Sequence, residues 1–396
     1  MDKEKLRKAI IKKIDSLRDR IFEVSDFIFN NPELGREEYK ASKLLASELE
    51  KHNFDVEMSV AGLKTAFKGV KKGKKPGCSV AFFAEYDALP EIGHGCGHNF
   101  IGTASTFAGI ALGSIMDQFP GKVFVFGTPS EENHGDKITM LEKGLFDGLD
   151  AVMMIHPSIE TKVESYSLAC NSLEITFIGK SAHASAVPWM GINALDALIQ
   201  TFVAVNNLKK QLPPTTRVPG IIKYGGSRAN VVPDKAIGQF SLRGATKKEL
   251  DMVVKKVKEC ARGAAIQTGA KVKFDIDDKP YLEMNTNKTI AEQYRKNLES
   301  LGLKISLVKE KGMGSVDIGN VSHKIPCIHA YMSVSDKIIP GHSREFAQAV
   351  ISKLGREQLI SSVKVLALTG LDLLLDRNLM QRAKKELRDW QKEQEG

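Results

Sequence analysis

Residues 81–100 read AFFAEYDALPEIGHGCGHNF. The apolar run AFFA stops at two carboxylates, Glu85 and Asp87, and a glycine-rich segment then sets His94, Cys96 and His98 among Gly93, Gly95 and Gly97. The chain holds 9 histidines and 5 cysteines in 396 residues, so three of them in five positions call for a chemical reason. The next stretch, Asn99 to Met116, is rich in Ala, Gly and Ile and reads as a buried helix. Strand, polar loop and buried helix in succession are the building unit of an α/β fold. In such folds ligands gather beyond the carboxyl ends of the strands.

Working outward, residues 3–29 and 36–51 carry apolar positions at helical spacing, and the short apolar runs at 54–60, 64–70 and 78–84 read as strands. Downstream come the strand GKVFVFG, the polar loop TPSEEN, a helix near 135–144 and the strand DAVMMIHP. Strands alternating with helices predict a mainly parallel, mixed sheet covered on both faces. Near Ser167 the composition changes, and the order becomes β-α-β-β-α-β, a ferredoxin-like pattern. After Tyr281 a helix at 287–301, a Gly-rich loop at 311–323, a strand at 325–334 and long C-terminal helices follow. The expected architecture is a catalytic α/β domain over 1–168 and 282–396, with an inserted ferredoxin-like domain over 169–281.

Composition narrows the function classes. Hydrophobic residues at 42% and charged residues at 27% are those of a globular protein. Apolar stretches such as GKVFVFG are too short to span a bilayer, and the charged N-terminus lacks the apolar core of a signal peptide, so a cytoplasmic location without membrane association is expected. The cysteines at 78, 96, 170, 260 and 327 are odd in number and form no CxxC pair, which argues against a disulfide framework; the four besides Cys96 are expected to fill cores. Net charge is +9, yet the excess lysines are spread along amphipathic helices and one turn without interleaved aromatics, so no nucleic-acid partner is expected.

Four separate segments offer side chains that bind metals. Cys96 and His98 lie in the opening stretch, Glu131 and Glu132 in TPSEEN, His156 at the end of DAVMMIHP, and His342 in PGHSREF. Thiolate, imidazole and carboxylate together suit zinc, manganese, cobalt or nickel. Cys96, His98, Glu132, His156 and His342 are five such ligands, more than one open tetrahedral ion uses, and they fit two ions sharing a ligand. Taken singly, the residues have other readings. Cys96 could be a buried thiol or a thiol nucleophile, the Glu pair a solvated loop, His183 a turn cap and Arg243 a salt-bridge partner.

AEYDALPEIGHGCGHN, TPSEEN, IHP, GKSAHASAVPWMGINALDA, ANVVPDKA and PGHSREF, in that order along nearly the whole chain, resemble the M20 family of metallopeptidases. Within it the chain looks closest to the amidohydrolase and aminoacylase branch, of the dipeptidase and aminobenzoyl-glutamate hydrolase type. The resemblance implies a zinc-peptidase-like catalytic domain with an inserted lid and dimerisation domain, and hence a homodimer or higher oligomer. It implies two divalent ions, with zinc the first expectation, held by Cys96, His98, Glu132, His156 and His342. Glu131 would be the general base for a metal-activated water, and Asp87 would hold a ligand histidine in its tautomer. His183 would reach the active site of the partner subunit and polarise the scissile carbonyl there, and Asn230 and Arg243 would contact substrate, Arg243 through its planar fork on a carboxylate. The implied activity is amide hydrolysis of dipeptides or N-acyl amino acids. Carboxypeptidase or aminobenzoyl-glutamate hydrolase activity is the alternative, and a catalytically silent binding protein the rival from another class. Asn99 stands where many aminoacylase-branch members carry Asp, and Glu85 and Cys96 stand where the classical peptidase branch carries His and Asp.

Overall fold

A computed structural model describes residues 2–306 and 314–395. These divide into two compact units, one drawn from Met1–Tyr166, Met284–Gly312 and Asp317–Gly396, the other from Ser167–Glu283 and Met313–Val316. Residues 311–313 of the expected Gly-rich loop lie outside the described residues, while 318–322 of it form a short helix.

The first unit is built on a six-stranded mixed sheet. Its strands are β1 (Asp55–Met58), β2 (Phe67–Lys72), β3 (Ser79–Ala84), β4 (Lys122–Gly127), β5 (Ala151–Ser158) and β10 (Cys327–Ser333). They lie in the order β1-β2-β4-β3-β5-β10, with β4, β3, β5 and β10 parallel and β1 and β2 antiparallel at one edge. All six residues of β3 are buried, as expected of a strand flanked on both sides and covered on both faces. The helix His98–Gly113 begins directly after the glycine-rich loop, and every residue in it is buried. It packs against β3 and against the long helix Lys353–Leu375. By length and composition the segments His98–Gln118 and Lys353–Leu375 could cross a membrane, contrary to the expectation from shorter apolar stretches such as GKVFVFG; 94% and 78% of their apolar windows are buried inside the fold, which accounts for the hydrophobicity. The expected N-terminal helix is two helices, Lys3–Ser16 and Arg18–Asn30, because Leu17 leaves helical geometry at φ −103°, ψ 5°.

The second unit runs β6 (Ala169–Ile178), helix Ala194–Leu208, β7 (Gly220–Tyr224), β8 (Lys235–Gly244), helix Lys247–Thr268 and β9 (Lys271–Ile276). Its sheet order is β7-β8-β6-β9, antiparallel throughout, which is the ferredoxin-like arrangement. Leu173, Ile175 and Phe177 alternate with half-exposed residues along β6 and form one core with Phe240, Leu242 and the apolar stripes of both helices. Strand β7 is the exposed edge, and Ile221, Ile222 and Tyr224 on it all face solvent. Of the four cysteines expected in cores, Cys327 is buried, Cys78 and Cys260 are half-buried and pack against the cores, and Cys170 is half-buried.

Candidate metal centre

The carboxyl ends of β3, β4 and β5 lie side by side, and each delivers part of one cluster. Beyond β3, Gly97 takes φ +81° at the helix N-terminus, and a Cβ there would lie 2.4 Å from Pro157 Cγ. Only glycine fits this turn, which lets Cys96 and His98 face one point. Beyond β4, Ser130 adopts φ +57° just before Glu131 and Glu132. Its N–H donates to Glu38 Oε1 at 2.8 Å, which holds the strained residue in place. His156 belongs to β5 itself. His342, also at positive φ (+54°), precedes the helix Arg344–Val350, and its N–H donates to Gly95 O at 3.1 Å.

These segments bring together all five candidate ligands and Glu131. Three overlapping groups have donor atoms within 4.8 Å of one another: Cys96 with His98 and His156, Cys96 with Glu132 and His342, and His98 with Glu131 and Glu132. Asp87 binds the cluster from behind. Its Oδ1 lies 2.8 Å from His98 Nδ1, and its Oδ2 accepts the Glu132 N–H at 3.0 Å. His156 Nδ1 donates to Pro157 O at 2.6 Å. Both histidines therefore have Nδ1 occupied and present Nε2, the arrangement that fixes a ligand tautomer. His156 Nε2 sits 3.3 Å from Cys96 Sγ.

The donor set fits divalent cations. His98 Nε2 and Glu132 Oε1 are buried without a hydrogen-bond partner, as atoms reserved for a metal would be. Burial, with His98 adding to it, pushes the His156 pKa down to about 4, so its imidazole is neutral and able to ligate. Burial raises the Cys96 thiol strongly. Burial, then the nearby carboxylates of Glu85 and Asp317, hold the Glu131 carboxyl well above its ordinary range. Burial opposes charge on His98, but Asp87 and Cys96 outweigh it and raise its pKa. A buried cluster this rich in acids is short of positive charge, which bound cations would supply.

The residues expected to contact substrate lie in the second unit. His183 and Val231 form a bridge, and the Ala184 N–H donates to Asn230 O at 3.0 Å, so SAHAS and ANVVP are neighbours. His183 Nδ1 accepts from the N–H groups of Ser185 and Ala186, both at 3.3 Å. The histidine does cap a turn, and that bonding places its proton on Nε2. Arg243 on β8 is half-buried, and its Nη1 donates to Ser315 Oγ at 3.1 Å.

Sequence reading missed the supports behind the cluster. Arg36 forms a two-pronged ion pair with buried Asp136, at 2.8 and 2.7 Å. Lys137 is fully buried between Glu85 and Asp317. No spacing rule marks these residues, because their partners lie far away in the chain.

A cluster of carboxylate, thiol and imidazole donors at the strand ends of an α/β domain, in a chain that also carries a ferredoxin-like unit, is a candidate metal centre, and the relatives of the chain make it a metal-dependent amide hydrolase. Residues 171–269 match the peptidase dimerisation domain of the M20 family. Over 97% of the chain and 93% of the relative, the sequence is 34% identical to the Xaa-Arg dipeptidase of Mus musculus. It is 27% identical to a p-aminobenzoyl-glutamate hydrolase chain of Escherichia coli K12, over 94% of this chain and 93% of the relative. Among solved structures, a putative aminohydrolase from Staphylococcus aureus superposes with a TM-score of 0.80 at 23% identity, covering 93% of this chain and 100% of that one. A Bacillus subtilis protein described as a dinuclear metal-binding M20 peptidase gives 0.72 at 21%, covering 91% and 99%. The chain belongs to the M20 peptidase family.

Proposed function

We propose that the protein hydrolyses the amide bond of dipeptides that carry a free carboxylate, with N-acyl amino acids as a second substrate class, at a pair of divalent ions. The observation that carries this reading is that Cys96 Sγ belongs to two donor groups at once, one completed by His98 and His156 and the other by Glu132 and His342. Each group would hold one ion, and Cys96 is the donor placed to be shared. When bound, the ions supply Lewis acidity, which acidifies water and offsets negative charge developing on the carbonyl oxygen. Zinc is the proposed native metal, ahead of manganese, cobalt and nickel.

The protein's own groups do the rest. Glu131 lies in the third donor group with His98 and Glu132, where it takes the proton of the attacking water and passes it to the departing amine. Asp87 keeps His98 and the Glu132 backbone in register. His183, with its proton on Nε2, is the proposed donor to the scissile carbonyl of a substrate held by the partner subunit. Arg243 is the proposed partner of the terminal carboxylate, and Asn230 supplies a further polar contact. The mouse dipeptidase supports a dipeptide substrate, and the Escherichia coli relative supports p-aminobenzoyl-glutamate as the second compound to assay. Self-association through the dimerisation domain is proposed along the exposed edge of β7.

The decisive experiment pairs Glu131→Gln with a hydrolysis screen of Xaa-Arg and other dipeptides, p-aminobenzoyl-glutamate and N-acyl amino acids. The variant is expected to keep its metal and lose kcat by about 10²–10⁴-fold. Undiminished hydrolysis would remove Glu131 as the base.

A further inference from the structure

Behind the donor cluster lies a group of charges that the reaction scheme leaves unused. Lys137 is the second residue of the helix Asp136–Glu142 and has no exposed surface. Its Nζ donates to Glu85 Oε1 at 2.5 Å and to Asp317 Oδ1 at 2.7 Å, and its backbone N–H donates to Asp317 Oδ2 at 3.1 Å. Glu85 and Asp317 are buried as well. A buried ammonium with two buried carboxylates costs solvation that a packed apolar cluster would avoid, so such a group persists where its charge or geometry has a use.

The use is suggested by the other oxygen of Glu85. Its Oε2 lies 3.5 Å from His98 Nε2, the nitrogen presented to the centre. Yet Glu85 belongs to none of the three donor groups. A carboxylate this close to a proposed ligand nitrogen would be drawn onto a bound cation unless something held it back. The bond from Lys137 to Oε1 does so, and Asp317 fixes Lys137 in turn.

We propose that Lys137 is a positioning residue that keeps Glu85 off the metal centre. It leaves the ions to Cys96, the three histidines and Glu132, and it leaves the space beside Glu131 to water and substrate. Lys137 also places a fixed positive charge behind the ligands, which weakens metal binding while protecting the reactive geometry. The inference rests on the two-ion reading above and deepens it.

The sign of the metal response separates this role from a purely structural one. In Lys137→Met, Glu85 is released and a repelling charge is removed. Zinc and manganese, titrated by chelator competition, are then expected to bind at least about 5-fold more tightly. At the same time kcat falls at least about 10-fold with KM within about 3-fold. A support that merely held the fold together would weaken metal binding when lost. Glu85→Gln, which can still accept from Lys137, is expected to retain both ions and to keep kcat within about 3-fold of wild type. The double variant Lys137→Met/Glu85→Gln is expected to recover most of the kcat lost in Lys137→Met. Loss of an ion in Glu85→Gln would make Glu85 a ligand and overturn the proposal. Weaker metal binding in Lys137→Met, or no recovery in the double variant, would do the same. Should Lys137→Met fail to fold, the isosteric Glu85→Gln decides the matter through its metal content. A wild-type chain binding no divalent ion would remove the hydrolase reading itself; wild type with both ions and Glu85→Gln with one removes only the role of Lys137.

Discussion

At the scale of single residues, two acids make different contributions to one site. Asp87 uses both oxygens, one on His98 and one on the backbone that carries Glu132. Asp87→Asn keeps the volume but disturbs the His98 tautomer, and metal affinity is expected to fall about 10–100-fold, measured by chelator competition. Unchanged affinity would show that His98 is oriented by other means. Glu38 instead holds the strained Ser130, and its second oxygen accepts from Thr65 Oγ1 at 2.7 Å. Burial raises its carboxyl from 4.5 to about 7, against the lowering effect of the Thr65 hydroxyl. The folded state thus favours the protonated acid. Its contribution to stability is complete below the unfolded value of 4.5 and is lost as pH rises through about 7. The loss is about 3 kcal/mol across that interval. Chemical denaturation of the metal-free protein should therefore find Glu38→Gln more stable than wild type at pH 8 and nearly equal at pH 4. An equal difference at both pH values would contradict the shift.

At the scale of elements, the positions of most of the candidate metal donors follow from strand ends. β3, β4 and β5 are adjacent and parallel, so the loops that follow them emerge on one edge of the sheet. β7 presents a different case. It pairs on one side only, and its register slips between Ile222 and Tyr224. Exposed Ile199 and Val203 on the helix Ala194–Leu208 extend the apolar surface of the same unit. A strand edge of this kind invites pairing with a second copy. Ile221→Lys combined with Ile222→Lys is expected to halve the mass seen by light scattering while far-UV circular dichroism is retained. A wild-type chain that is already monomeric would exclude this interface.

At the scale of the whole molecule, metal binding at the proposed centre would be linked to folding, because the candidate ligands come from four distant segments of one fold. Ions at about 100 times their dissociation constant add about 2.7 kcal/mol each. Thermal unfolding is thus expected to shift upward by about 5 °C on adding zinc or manganese, and to return with a chelator. An indifferent melting temperature would mean that the donors bind no ion in the native state.

The candidate donors within residues 84–99 were legible in the sequence because their pattern is local. A glycine loop with thiol and imidazole donors, a Glu pair after a strand and an alternating β6 are patterns written in neighbouring residues. Such periodicities set helix or strand locally, and that is why the ferredoxin-like order and most strands could be read in advance. The break at Leu17 and the half-exposed cysteines could not, since both depend on what packs alongside. Lys137 shows the limit most clearly: Glu85 and Asp317, its partners, are 52 and 180 positions away along the chain. Sequence alone marked the candidate metal donors and the candidate base. Only the order of strands in the sheet decided that they meet, and only burial decided that their charges must balance, because electrostatic strength depends on distance and on exclusion of water rather than on position in the chain.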